Sequence, residues 1–185
     1  MDHEAVRRAQ EGDHEAFAAI VRGALARLYG TARLILRDPS LAEEAVQEAL
    51  LEAWRDIRAL RDPDRLEAWL QRILVRTCYR TARGSRRRFA AEIPLDPAVD
   101  LAEADSTGHI ADRDTIEHAF RHLSQDERTV LVLVYFADLT LADASVVLGI
   151  PLGTMKSRLH HAIRSLRAAM AADDRVLGIL DRTTT

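Results

Sequence analysis

Cysteine is nearly missing from this chain. Cys78 is the single one in 185 residues, which excludes a disulfide framework and any Cys-x-x-Cys metal site. Lysine is equally scarce: Lys156 stands alone, and the other basic residues are arginines. Proline (5) and glycine (8) are few, and aromatics make up only 5%. No apolar run approaches the roughly 18–20 residues of a membrane-spanning helix, and the opening MDHEAVRRAQEGD lacks a signal-peptide core. A soluble, cytoplasmic chain without membrane insertion is therefore expected. No nucleophile elbow, phosphate-binding glycine loop or acid/base pair is visible, so neither an enzyme nor a cofactor is expected.

What is present is 48% hydrophobic and 30% charged residues, the balance of a folded, water-exposed chain. The formal net charge is only −3, which on average argues against a nucleic-acid partner. The distribution reverses that inference. Residues 72–89 hold seven arginines and no acid, net +7, while residues 90–114 net −6. Such asymmetry signals a partner.

The periodicity is helical almost throughout. Asp13 can cap a helix with Phe17, Ile20, Val21, Ala24, Leu28 and Ile35 inward. Asp38-Pro39-Ser40 breaks the pattern, and Ser40 with Glu43 predicts a capping box for the next stripe, Leu41, Ala45, Leu51, Trp54 and Ile57. Asp62-Pro63-Asp64 is a turn before a third helix with Trp69, Leu70, Ile73, Leu74 and Thr77 inward, ending near Arg83 before Gly84. From Phe89 to about Gly108 the pattern dissolves into an acidic stretch with Pro94 and Pro97. Helix resumes over Asp112–Leu123, Ser124 to Glu127 is a capping box, a short helix spans Leu141–Leu148, and a long one Leu152–Ala171. The expected fold is all-α, in two small helical domains: 1–88 and 111–172, joined by a flexible acidic linker (89–110) and followed by a tail (173–185).

Two features carry chemistry. LTLADASVVLGIPLGTMKSRLHHA (139–162) has the grammar of a helix-turn-helix: a short helix, a glycine turn, and a longer helix with a polar start. Met155, Leu159, Ile163 and Leu166 form its inward stripe. Thr154, Lys156, Ser157, Arg158 and His161 lie where a recognition helix meets DNA. The second feature is the row Arg72, Arg76, Arg80, Arg83 and Arg87, confined to an arc of roughly 80°. With no acid on it, such a row would repel itself, and phosphates would supply the missing term. Trp69 borders this face and either stacks on an exposed base or packs in the core. His118 and His122, at i, i+4, could grip a metal, but no further ligand at matching spacing completes a site, so no metal is expected. Cys78 is expected to pack as a small hydrophobe.

Taken together, these segments resemble a bacterial sigma factor of the extracytoplasmic-function type, within the sigma-70 superfamily. SLAEEAVQEALLEAWRDI resembles the region-two segment that grips RNA polymerase. RLEAWLQRILVRTCYRTAR resembles the part that captures the minus-ten promoter element. LSQDERTVLVLVYFADLTLADASVVLGIPLGTMKSRLHHAIRSLR resembles region four, which reads the minus-thirty-five element. The resemblance implies a polymerase contact at Glu44, Gln47, Glu48, Leu51 and Trp54. It also implies a minus-ten surface at Trp69, Arg72, Arg76, Arg80 and Arg83, and a minus-thirty-five reader at Thr154, Lys156, Ser157, Arg158 and His161. Its implied partners are core RNA polymerase, promoter DNA and, as commonly in the family, an anti-sigma factor. The chain departs from the family pattern at several points. Glu44 and Leu50 replace the usual Asp and Phe, Arg76 and Arg80 stand where Asn and Asp are common, Ala142 and Ala144 where Glu and Ile are common, and His161 where Arg is common. The rival readings are a helix-turn-helix activator or repressor that is not a polymerase subunit, and a metal-dependent enzyme built on His118 and His122.

Overall fold

A computed structural model describes residues 3–92 and 119–183, with side chains described over 3–85 and 119–171. Among the described residues every regular element is helical. Helix α1 spans His3–Gln10, α2 His14–Leu36 and α3 Pro39–Asp56; two short 3₁₀ turns, Ile57–Ala59 and Pro63–Arg65, lead into α4, Leu66–Glu92. After the second described stretch opens, α5 spans Gln125–Leu131 and a π-helical turn Val132–Phe136 follows, then α6 Leu141–Leu148 and α7 Leu152–Thr183.

The boundaries follow from local chemistry. Asp13 accepts hydrogen bonds from the backbone N–H groups of Glu15 and Ala16, capping α2. Ser124 and Glu127 form the reciprocal capping box expected of α5. Gly149, at φ +65°, closes α6 in the left-handed conformation that glycine adopts without penalty.

Several expectations need correction. Asp38, not Ser40, caps α3: its carboxylate accepts from Leu41 N–H, and Pro39 takes the first helical position, where its missing N–H costs nothing. Leu51, read as inward, is 58% exposed; the buried stripe of α3 is Ala42, Ala45, Val46, Ala49 and Ala53. These small residues let α4 approach closely. Helix α4 does not stop at Gly84 but continues to Glu92, since one glycine costs only ~1 kcal/mol inside a long helix. An N-terminal helix, α1, precedes the first expected one and buries Val6 and Ala9. The last helix runs past Ala171 to Thr183. The acidic stretch beyond Glu92, most of the helix expected over Asp112–Leu123, and the side chains of the tail lie outside the described residues.

The two helical groups share one core. Leu28, Ile35, Leu70 and Leu74 from the first belong to the same buried cluster as Val130, Leu133, Val147 and Met155 from the second. The ring of Phe136 sits against Gly30 of α2 so closely that a Cβ there would lie 2.4 Å from it. That contact accounts for a glycine in the middle of a helix. Arg128 donates from Nε and Nη2 to the carbonyl of Ile35, at 3.2 and 3.1 Å. Ile35 is in the last turn of α2, where carbonyls lack helical partners and a cation is favoured.

Candidate nucleic-acid interface

Helix α4 buries one face and presents the other. Leu70, Ile73, Leu74, Thr77 and Cys78 are inside, so the 3.6-residue period turns Arg72, Arg76, Arg80 and Arg83 outward, where all four are exposed. Trp69 is half-buried and packs against the core, so core packing accounts for the part of its ring that is covered. Burial pushes the Cys78 thiol up to about 12, leaving it protonated and inert at neutral pH.

The arginine row is not without acids, because α3 supplies them. Glu52 pairs with Arg76. Arg80 Nη2 lies 2.9 Å from Glu48 Oε1 and 3.5 Å from Glu52 Oε2. The pairs 48–80 and 52–76 descend one helix as they climb the other, the register of antiparallel neighbours. Self-repulsion is therefore relieved within the chain, and the argument that phosphates must relieve it fails for two of these arginines. Arg72 and Arg83 carry no ion pair among the described residues. Glu52 escaped the sequence reading. Its signal was present as the spacing of four shared by Glu48–Glu52 on one helix and Arg76–Arg80 on the next.

On α3 the expected polymerase contacts Glu44, Gln47, Glu48 and Leu51 are exposed together. Trp54 stands apart, half-buried under His14 and Phe17, with ring centroids 4.4 and 5.0 Å away. It holds α3 to the start of α2.

The helix-turn-helix is built as its sequence suggests. Thr140 caps α6 by accepting from Asp143 N–H. Gly149 turns the chain, and Met155 and Ala162 bury the inner face of α7. Lys156, Ser157, Arg158 and His161 are exposed and Thr154 half-exposed on the first turns. Ser157 Oγ donates to the Thr154 carbonyl at 2.9 Å, so its hydroxyl faces a partner as an acceptor. His161 Nδ1 lies 2.9 Å from Arg164 Nη2, which extends the polar face by one turn. Beneath it, burial raises the Glu127 carboxyl, but hydrogen bonds from Ser165 and Ser124 outweigh burial and hold it below its usual range. The Ser165 bond, 2.6 Å long, ties α7 to α5.

Tyr79 joins the two surfaces. One residue from Arg80, its hydroxyl donates to Asp126 at 2.7 Å across the boundary between the helical groups. Burial foremost, with Asp126 reinforcing it, pushes the Tyr79 phenol up to about 12. His118 lies outside the described residues, and among those described no three potential ligands cluster.

Comparison with known families decides the assignment. The Sigma-70 region 2 family matches residues 20–88, and the Sigma-70 region 4 family residues 119–168. The chain belongs to the extracytoplasmic-function group of sigma-70 factors. It is 32% identical to the "ECF RNA polymerase sigma factor SigK" of Mycobacterium sp. (strain JLS) over 169 residues, 88% of this chain and 86% of that protein. It is 30% identical to the "RNA polymerase sigma-E factor" of Streptomyces antibioticus, over 93% of this chain and 94% of that one. Among solved structures, the sigma factor RpoE of Bartonella quintana, crystallised with the anti-sigma factor NepR, superposes with a TM-score of 0.72. That match is 25% identical and covers 85% of this chain and 98% of the other. As a sigma factor the chain serves promoter recognition and transcription initiation, and the two families fall on the two surfaces described. Region two contains α3 and α4; region four contains the helix-turn-helix. No described helix is long and apolar enough to cross a membrane.

Proposed function

We propose that this sigma factor engages core RNA polymerase through the exposed α3 face and reads two separate stretches of promoter DNA. Glu44, Gln47, Glu48 and Leu51 make the polymerase contact, with Trp54 bracing the helix. Arg72, Arg76, Arg80 and Arg83 bind phosphates of the minus-ten strand, and the exposed part of Trp69 offers a stacking surface beside them. Lys156, Ser157 and Arg158 enter the minus-thirty-five major groove, with Thr154 and His161 flanking them. The observation that carries this reading is the coexistence of an outward arginine face and an outward recognition helix in one chain, each backed by a buried stripe. An anti-sigma factor is a further expected partner, since the Bartonella quintana relative was solved with one.

Run-off transcription with core polymerase tests the reading. K156Q/R158Q should abolish initiation on a promoter carrying both elements, at an expected loss of about 1–3 kcal/mol of binding for each base-contacting side chain. The same variant should still co-purify with core polymerase. Unaltered initiation would remove the recognition helix from the mechanism, and failure of the wild-type chain to bind core polymerase would remove the polymerase contact.

A further inference from the structure

The arginines proposed to hold the minus-ten strand are not equivalent. Among the described residues Arg72 and Arg83 have no acid partner, whereas Arg76 and Arg80 are held by Glu52 and Glu48 of α3. Carboxylate and phosphate compete for the same guanidinium edge, because both offer paired oxygens to its planar fork. The pairs are placed to persist. The side chain of Glu52 is only 21% exposed, against 59% for Arg76, so the acid is anchored and the arginine is drawn down onto it. Glu52 also reaches Arg80, so one carboxylate bridges both cations. Glu48, by contrast, is half exposed and shares its surface with the proposed polymerase contact.

We propose that Glu48 and Glu52 act as an internal stand-in for phosphate, holding Arg76 and Arg80 away from nucleic acid in the free chain. Engagement of Glu48 by polymerase then frees Arg80 for the promoter strand. The inference rests on the reading of α4 as a DNA surface. It adds to that reading a residue, Glu52, and a coupling between the polymerase face and the DNA face. Of the four described arginines, two rather than four then act as available cations in the free chain. By linkage, what polymerase does to the DNA surface the DNA must do in return to the polymerase surface.

The test uses the full chain and a fluorescein-labelled single-stranded oligonucleotide of about 20 mixed bases, longer than one single-strand site. Anisotropy titrations run across about 50–300 mM NaCl, with circular dichroism melts confirming that each variant folds. E48Q/E52Q should bind about threefold to tenfold more tightly than wild type, the range expected when two or three half-exposed ion pairs are relieved. Its plot of log K against log salt should steepen by about 1.4, two phosphates at 0.7 each. E15Q/E43Q removes the same charge from exposed positions outside these pairs and should change affinity by less than about twofold. In E48Q/E52Q/R76Q/R80Q the gain should vanish. No gain from E48Q/E52Q overturns the proposal, as does a gain matched by E15Q/E43Q or retained without Arg76 and Arg80. R72Q/R83Q tests the underlying reading separately. Weakened binding supports the DNA surface whatever the acids do, and unchanged binding overturns the surface and the proposal together.

Discussion

The Tyr79–Asp126 bond ties region two to region four, and Tyr79→Phe isolates it because the ring and its packing remain. At neutral pH the phenol donates to a carboxylate at 2.7 Å. A hydrogen bond to a charged group contributes about 1.5–3 kcal/mol, and the exposure of Asp126 brings the expected loss toward about 1 kcal/mol. That loss corresponds to roughly 2–4 °C in melting temperature for a chain of this size. Alkaline pH reverses the comparison. The phenol ionises near 10 when unfolded and near 12 when folded, held neutral first by burial and then by Asp126. A folded value above the unfolded one means that its stabilisation is complete below about pH 10 and is lost as pH rises toward 12. Above the folded value a phenolate would face a carboxylate. Wild type should therefore melt higher than Y79F at pH 7, and the two melting curves should converge and cross between about pH 10 and 12. Cys78 also titrates late, from about 9 to about 12, but it is common to both proteins and cancels in the difference. Thermal melts by circular dichroism from pH 7 to 11.5 read this directly. A difference independent of pH would refute the placement of Tyr79 against Asp126.

Removing the α5 cap with Ser124→Ala should cost about 1 kcal/mol, measured by urea denaturation. It should also flatten the acid limb, since Glu127 is depressed by Ser124 and Ser165 and its contribution disappears as pH falls through the folded value. A steeper acid limb would contradict the capping box. Cys78 should resist thiol reagents at pH 8 in native buffer and react fully only on unfolding, so rapid labelling of the folded protein would place it outside the core. Arg128→Met should shift the two regions toward separation by about tenfold or more, through loss of the charge-assisted bonds to Ile35. Small-angle scattering should then report a larger radius of gyration, and an unchanged radius would show the apolar contacts suffice.

Local rules made most of the helices legible. Asp13, Ser124 and Gly149 each act through neighbours within three or four residues, so their caps could be read directly. Ser40 misled because Asp38 and Pro39, one turn-start earlier, compete for the same terminus and win by fixing the first helical dihedral. Leu51 misled because a stripe of alanines on the opposite flank of α3 is a weak hydrophobic signal, yet close approach to α4 needs small residues there. The outward arginines and the recognition helix follow from period alone. The acids opposite Arg76 and Arg80 did not, since pairing between helices depends on register, which single-helix periodicity does not contain. The shared core was equally hidden. Gly30 and Phe136 lie more than a hundred residues apart, and nothing in either local sequence marks the other.

For the two-site reading proposed above, that shared core sets a condition. The minus-ten and minus-thirty-five elements lie about 25 base pairs apart, or roughly 85 Å along the duplex. The described residues pack about one core, and a compact body of that size has a radius of gyration of only about 15 Å, so in that form they cannot hold both elements at once. Parting the two regions would remove the apolar contacts of Leu133 and Phe136 and the bonds of Arg128 and Tyr79. On the proposed reading, contacts with polymerase would offset that cost. A regulator that worked from DNA alone would have to meet the same cost with promoter contacts only, while Arg76 and Arg80 remained occupied by Glu52 and Glu48.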